Sequence, residues 1–103
     1  MGKKEVIWTK KAQFQMFMVM DYYNYRNKSN LYSLKLYAQI NDKLNKIRDC
    51  LVLPKQTSIK DIFYFTHKHI SVIFTFDLDK IIVLLIWDDR RNPKELEKLL
   101  IEI

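Results

Sequence analysis

The first half of the chain combines one short apolar segment with two long stretches of helical periodicity. Glu5 to Trp8 predicts a strand, after which the hydroxyl of Thr9 can cap the first turn of a helix. This helix is expected from about Lys10 to Tyr25, because apolar residues recur there at spacings of three and four. A second helix is expected from about Leu31 to Cys50, so the pattern predicts an antiparallel helical hairpin.

The apolar faces of these two helices differ in width. The stripe expected to face the core comprises Ala12, Met16, Val19, Met20 and Tyr23 in the first helix and Leu34, Tyr37, Ile40, Leu44, Ile47 and Leu51 in the second. The first helix carries four further large side chains beyond its stripe: Phe14, Phe17, Met18 and Tyr22. Because these four cannot all face one core, part of this surface is predicted to be covered by a partner.

Strand-like segments follow Pro54, which cannot continue a helix. Ile59 to Thr66 and Ile70 to Asp77 are rich in β-branched and aromatic residues, and Ile81 to Trp87 is a run of seven apolar residues. Short turns between these segments predict an antiparallel meander. The last strand is apolar on both faces, so we expect it to be central, between the preceding strand and the N-terminal strand.

The C-terminal residues complete a β-α-α-β-β-β-α order over residues 1–103. Pro93 suits the first turn of a final helix that is expected to end near Ile103. A chain of 103 residues, 49% of them hydrophobic, is close to the common size for a single core. The prediction is one α+β domain, in which an antiparallel sheet of about four strands packs against the helical hairpin.

Charge is distributed unevenly along this domain. Residues 1–53 carry ten Lys or Arg against four Asp or Glu, whereas residues 54–103 carry eight of each, so the net charge of +6 lies in the first half. A basic half suggests a polyanionic partner, either nucleic acid or an acidic protein segment. A solvated helix face explains the same charge equally well.

Several kinds of site are excluded by composition. The single Cys50 rules out an internal disulfide and a cysteine-based zinc site, and one glycine leaves no glycine-rich phosphate loop, so no cofactor is expected. No apolar run approaches the roughly 20 residues that span a bilayer, and the N-terminus lacks a signal-peptide apolar region. We therefore expect a cytoplasmic protein with no membrane partner.

The two histidines are candidate acid–base groups. His67 and His69 stand two residues apart on a predicted hairpin turn, so they are expected to point to one side and could exchange protons near neutral pH. Two solvent-exposed turn residues without chemistry are the alternative. No third ligand stands at short spacing, so no metal site is predicted.

Charged residues at the ends of strands are the other candidates. Arg90 and Arg91 follow the last strand directly after two aspartates, and strand exits are where small domains often keep their chemistry. The structural alternative is that the aspartates form an ion pair that fixes the loop and cap the final helix. Lys55 and Lys60 flank the first strand of the meander, where they are expected either to contact phosphate or to be ordinary exposed lysines.

In this order, several short motifs resemble the RelE/ParE superfamily of toxins from type II toxin–antitoxin modules. They span nearly the whole chain: Val6-Ile7-Trp8-Thr9 with Ala12, Tyr22-Tyr23, Arg26-Asn27-Lys28-Ser29, Pro54 and Trp87-Asp88-Asp89-Arg90-Arg91-Asn92-Pro93. The resemblance implies a toxin, of the plasmid-stabilisation kind, that inhibits growth until a cognate antitoxin binds it. The residues then expected to bind the antitoxin, or a second copy in a homodimer, are Phe14, Phe17, Met18 and Tyr22.

Members of this family either cleave mRNA on the ribosome or poison DNA gyrase. Cleavage proceeds by attack of a 2′-hydroxyl on the neighbouring phosphate and needs cations to stabilise the developing charge. On the strand matching Ile70–Asp77, the nuclease branch carries Tyr-Arg-apolar-apolar-Tyr, whereas this chain reads Ile70-Ser71-Val72-Ile73-Phe74. The nuclease lysines correspond to Ile62 and Tyr64, and a C-terminal tyrosine corresponds to Leu96.

Of that nuclease set, only the arginine after the last strand is retained, as Arg90, with Arg91 beside it. The resemblance thus implies a mechanism closer to the gyrase-poisoning branch. A ribosome-dependent mRNA endonuclease, with Arg90, Arg91 and His67 or His69 as catalytic residues, is the first alternative. A non-catalytic basic module that binds RNA or an acidic protein is the second.

Overall fold

The computed structural model describes residues 5–102, which form three helices and one five-stranded sheet. In chain order the elements are β1 Glu5–Trp8, α1 Lys10–Asn27, α2 Leu31–Arg48, β2 Lys55–Gln56, β3 Ile62–His67, β4 Ile70–Asp77, β5 Lys80–Asp88 and α3 Pro93–Glu102. The hairpin of α1 and α2 covers one face of the sheet and α3 packs on the other. This confirms the predicted α+β architecture; the predicted helix end at Ile103 lies outside the described residues.

The sheet differs in two respects from the predicted antiparallel arrangement of about four strands. Its order is β1-β5-β4-β3-β2, and β1 runs parallel to β5, with Trp8 opposite Val83. Lys55 and Gln56 add the fifth strand at one edge. Two residues are too few to show a period of two, so the pattern could not reveal this strand. The prediction that β5 lies between β1 and β4 is confirmed.

A bulge in β5 reverses the alternation of its side chains. The register between β4 and β5 shifts after Ile73, which leaves Leu84 as an extra residue. Ahead of the bulge Val83 packs under the hairpin, whereas beyond it Ile86 does so. Trp87 consequently packs on the opposite face, under α3. The strand is apolar on both faces because the hairpin covers one face and α3 covers the other.

Two apolar cores result, one on each face of the sheet. The core under the hairpin contains Ala12, Met16, Tyr23, Leu36, Ile40, Leu44, Ile47, Phe65, Ile70, Val72, Phe74, Ile81, Val83 and Ile86. The smaller core under α3 contains Ile62, Ile73, Leu85, Trp87 and Leu100. Thr9 caps α1 as predicted, its hydroxyl accepting a bond from the N–H of Ala12 at 3.1 Å. Among residues 5–102, no helix is long and apolar enough to cross a membrane.

The buried stripe of α2 is offset from the predicted one. It consists of Ser33, Leu36, Ile40, Leu44 and Ile47, whereas Leu34, Tyr37 and Leu51 are exposed, so the prediction was wrong at these three positions. Ser33 is buried because its hydroxyl donates to the carbonyl of Asn30 and to the side chain of Asn24. A hydrophobic pattern scores serine as polar and misses such a position.

Candidate functional site

The charged residues at the end of β5 separate to opposite faces of the sheet. Asp88 lies on the hairpin side, where its carboxylate accepts bonds from Nη2 of Arg90 at 2.6 Å and from Nε at 3.0 Å. Asp89 lies on the α3 side and accepts a bond from the hydroxyl of Ser71 at 2.6 Å. The predicted ion pair is confirmed. The predicted helix cap is wrong, because it is Asn92 whose side chain accepts the N–H of Lys94.

A groove of about 500 Å³ runs between α1 and the end of β5. Its lining includes Phe14, Met18, Tyr22, Tyr23, Ile86, Asp88, Arg90 and Arg91, and we refer to it as the α1 groove. Phe14 is 63% exposed although it is fully apolar, and Met18 and Tyr22 are exposed beside it. The structure thereby joins two predicted sets, the partner-binding residues of α1 and the two arginines. Phe17 is exposed as predicted but does not line the groove.

The polar end of the α1 groove is a cluster of Tyr23, His69, Asp88 and Arg90. The hydroxyl of Tyr23 forms a hydrogen bond with Nε2 of His69. Burial raises the pKa of Tyr23, so this phenol stays neutral, while the neighbouring Arg90 opposes the shift. The hydrogen bonds from Arg90 lower the pKa of Asp88, and the pair raises the pKa of Arg90. The cluster therefore presents a guanidinium whose charge is already partly compensated.

Arg91 occupies a different environment from Arg90. Its guanidinium lies 4.3 Å from the centre of the Trp87 ring, a cation–π distance, and pairs with Glu95 at 3.3 Å. Both partners lie on the α3 side of the sheet, so they draw the Arg91 guanidinium toward that face, although Arg91 also lines the α1 groove. Arg90 is therefore the cation that is held on the hairpin side of the groove, and Arg91 adds positive charge at its edge.

The two histidines both face the helical hairpin, as their spacing predicted, but they serve different sites. His69 contacts Tyr23 at the α1 groove, whereas Nε2 of His67 lies 2.8 Å from Oε1 of Gln39 on α2. Both rings are half-buried, so the alternative of two solvent-exposed turn residues is wrong. Only His69 stands near Arg90, and the predicted acid–base pair is not assembled in one site.

A second cavity, of about 520 Å³, lies on the opposite face of the sheet, under α3. Tyr64, Ser71 and Leu96 all line it, and the family resemblance places them at or near three positions of the nuclease set. The charged residues of its lining are the carboxylates Asp89 and Glu97, and none of its described lining residues is Lys, Arg or His. A phosphorane carries negative charge that needs cationic donors, so this α3 cavity is electrostatically unsuited to that chemistry.

The remaining predicted contact residues lie apart from the arginines. Lys55 is exposed on β2, which β3 and β4 separate from β5, so at about 4.8 Å per strand it is displaced by roughly 14 Å across the sheet. Lys60 is exposed just ahead of β3. Neither joins Arg90 in one site. In the part of the chain that the structure describes, no three His, Cys, Asp or Glu residues are grouped as metal ligands.

The sequence predicts Tyr23 in the core-facing stripe of α1, with base stacking as the alternative. It predicts Asp88 beside Arg90, as a general base or as an ion-pair and capping residue. Tyr23 lies in a stripe of core-facing residues but carries a hydroxyl. Because a buried phenol needs a polar partner, that hydroxyl was the sequence signal for a polar contact at Tyr23. Nothing in the pattern indicated which face Asp88 would take. That face depends on the bulge at Leu84.

Acidification is expected to destabilise the fold through His67. Burial lowers the pKa of His67 below its ordinary value of 6.5, and Lys68 and Lys43 lower it further. The unfolded chain then binds this proton at higher pH than the folded chain. The contribution of His67 to the free energy of unfolding is therefore fully present above pH 6.5 and is lost as pH falls through the lower, folded-state pKa. Urea unfolding at about pH 7.5 and about pH 5.5 should show a smaller decline for His67→Gln than for the parent. Equal declines would contradict this assignment.

No protein-family model and no curated protein matches this sequence. Among solved structures, the chain is similar to a chain of the structure described as "Chromosomal ParDE TA system from P. aeruginosa", with a TM-score of 0.69 and 17% sequence identity. The match covers 84% of this chain and 96% of that chain. At this identity the likeness concerns the fold, and it confirms the RelE/ParE-like fold that the sequence motifs predicted.

Proposed function

We propose that this chain is the toxin of a type II toxin–antitoxin module, which acts in the cytoplasm and is neutralised by a cognate antitoxin. The likeness to a chain of a ParDE system supports this reading, because it extends over most of both chains. The exposed apolar lining of the α1 groove supports it independently, since a contiguous apolar surface of this kind marks an interaction site.

The mechanism we propose is closer to gyrase poisoning than to RNA cleavage. The observation that carries this choice is the lining of the α3 cavity, where Ser71 and Tyr64 stand at cationic positions of the nuclease branch and Asp89 and Glu97 add negative charge. An RNA phosphate brought to this cavity would meet like charge rather than the donors that cleavage requires. Action on a protein target places no such demand on the cavity.

The antitoxin is expected to occupy the α1 groove. Phe14, Met18 and Tyr22 provide the apolar anchors that dominate protein interfaces, and Arg90 and Arg91 stand at one end of the groove. These features fit a segment that buries apolar side chains along α1 and places a carboxylate near the arginines. A second copy of this chain is the alternative occupant.

Ribosome-dependent mRNA cleavage remains the second candidate because the structure does bring Arg90 and His69 to one cluster with Tyr23. Such a site would lie on the hairpin face instead of the α3 face. Against it, Nε and Nη2 of Arg90 already donate hydrogen bonds to Asp88, and Nε2 of His69 is already hydrogen-bonded to the hydroxyl of Tyr23. A phosphate would have to displace both partners before these groups could act on it.

Induced expression of the chain, with pulse labelling of DNA and protein synthesis, tests this proposal. We expect growth to stop with DNA synthesis blocked and mRNA intact. Arg90→Ala/Arg91→Ala should restore growth, whereas Lys94→Ala/Lys98→Ala, which removes the same charge from exposed positions on α3, should not. A genomic library co-expressed with the chain would then yield the neutralising partner by selection for growth.

The other outcomes of that experiment are equally specific. Early collapse of translation with cleaved mRNA would favour the nuclease candidate and overturn the gyrase-type mechanism. Unimpaired growth and unchanged synthesis of both polymers would overturn both toxin mechanisms and favour a non-catalytic basic module.

A further inference from the structure

A third cavity, of about 480 Å³, lies between the outer face of α2 and the end of β3. Its polar lining consists of Lys35, Gln39, Asp42, Lys43, Lys46 and His67, and we call it the α2 groove. We infer that the α2 groove binds the phosphodiester backbone of a nucleic acid without reading its sequence. This surface is distinct from the α1 groove, and the inference does not depend on the toxin function proposed above.

Positive charge dominates the α2 groove. Three lysines line it against one acid, Asp42, and that acid is 3.1 Å from a single lysine, Lys46. Lys43 is half-buried, with Nζ 3.3 Å from the carbonyl of Thr66 and 5.4 Å from the Phe65 ring centre. Its ammonium group is therefore held in place before any ligand arrives. The positive electrostatic field extends to His67: burial lowers the pKa of this histidine, and the charges of Lys68 and Lys43 lower it further.

The spacing of these lysines suits an extended polyanion better than a single phosphate. Lys35 and Lys46 are eleven residues apart on one helix, which corresponds to about 16 Å at 1.5 Å per residue. At about 3.4 Å of axial rise per nucleotide, that length is several times the rise from one phosphate of a duplex strand to the next. A line of charges separated in this way contacts several phosphates of one strand at once.

The remaining lining argues for nucleic acid instead of an acidic protein. The apolar residues of the α2 groove are Ala38 and Val52, both small, and none of its lining residues is Phe, Tyr or Trp. Protein interfaces rely on buried aromatic and large apolar anchors, which this chain concentrates in the α1 groove. Protein–DNA interfaces are more polar and more positive. The one ring in the lining, His67, is half-buried and bonded to Gln39, and no Phe, Tyr or Trp offers a platform for stacking bases. The contact is therefore to the backbone and independent of sequence.

Binding of the purified full chain to labelled nucleic acid tests the inference directly. The probes are a random-sequence DNA duplex of about 20 base pairs and an RNA single strand of the same length, measured by fluorescence anisotropy between about 50 and 200 mM salt. We expect affinity to fall with salt at a logarithmic slope of about −0.9 for each duplex phosphate contacted. Tighter binding of the duplex or of the single strand identifies which of the two polymers the groove takes.

Lys35→Ala/Lys46→Ala is the decisive variant. It should reduce the salt slope by about two and weaken binding roughly ten- to thirtyfold at about 0.15 M salt. Lys94→Ala/Lys98→Ala, which makes the same change in net charge on α3, should bind within about twofold of the parent. Circular dichroism of both variants establishes that they are folded.

Two results would overturn the inference. One is an equal loss of affinity in the two double variants, which would mean that only net charge matters. The other is failure of the parent chain to bind either polymer. If poly-glutamate then binds with the same dependence on Lys35 and Lys46, the partner is an acidic protein.

Discussion

Replacing Phe14 by aspartate is expected to weaken binding of the neutralising partner by at least about a hundredfold. Phe14 is 63% exposed in the α1 groove, so the isolated fold tolerates the change. Truncating an apolar anchor at the centre of an interface costs about 2 kcal/mol or more. An aspartate there must in addition lose its hydration on binding, and about 2.7 kcal/mol in all corresponds to a hundredfold.

The measurement is isothermal titration of the parent and the variant with the partner recovered by growth selection, together with growth rescue in cells. Leu78→Asp provides the matched control. Leu78 is 92% exposed at the turn between β4 and β5 and has a φ of 53°, a conformation that aspartate adopts more readily than leucine. Equal affinity of Phe14→Asp and Leu78→Asp would show that the partner binds elsewhere.

The largest effect on stability is expected from Phe74→Ala, which should lower the free energy of unfolding by about 3–5 kcal/mol. Phe74 is 0% exposed, and its ring centre lies 5.6 Å from Phe76, 6.1 Å from Phe63 and 6.2 Å from Phe65. Removing the ring leaves a cavity between the sheet and the hairpin that these neighbours cannot fill. A domain of this size has about 5–15 kcal/mol of stability in total, so the loss is a large fraction of it.

Urea unfolding followed by circular dichroism checks this expectation, and the thermal midpoint should fall by at least about 12 °C. Phe17→Ala removes the same ring from a side chain that is 62% exposed on α1. That control should stay within about 0.5 kcal/mol of the parent. Similar midpoints for the two variants would mean that Phe74 does not sit in a closely packed core.

Hydrophobic periodicity determined the order of the long elements, because burial selects apolar residues every three to four positions in a helix and every two in a strand. It failed where burial was achieved by hydrogen bonding. Ser33 occupies the core-facing stripe of α2, and its two side-chain bonds replace the apolar contact that the pattern seeks. At the start of α2 the predicted stripe was displaced as a result, and Leu34 was assigned to the core, whereas Ile40, Leu44 and Ile47 were assigned correctly.

The candidate residues themselves were also evident from the sequence. The apolar excess of α1 predicted exposed side chains at Phe14, Phe17, Met18 and Tyr22, and all four are exposed. This inference worked because one helix has more apolar surface than its neighbours can cover, a property of the helix alone. The conflict between Ser71 and the nuclease motif was likewise readable from residue identity.

Only the tertiary structure decided which of these residues share a site. Phe14 and Arg90 are far apart in the chain, and they meet because β5 lies beside β1 and its bulge turns Asp88 toward the hairpin. The same bulge sends Asp89 to the α3 cavity, where it adds negative charge. The lysines of α2 form a groove because β3 brings His67 to Gln39. Local patterns describe which face of an element is buried, whereas shared sites depend on register and on packing between distant segments.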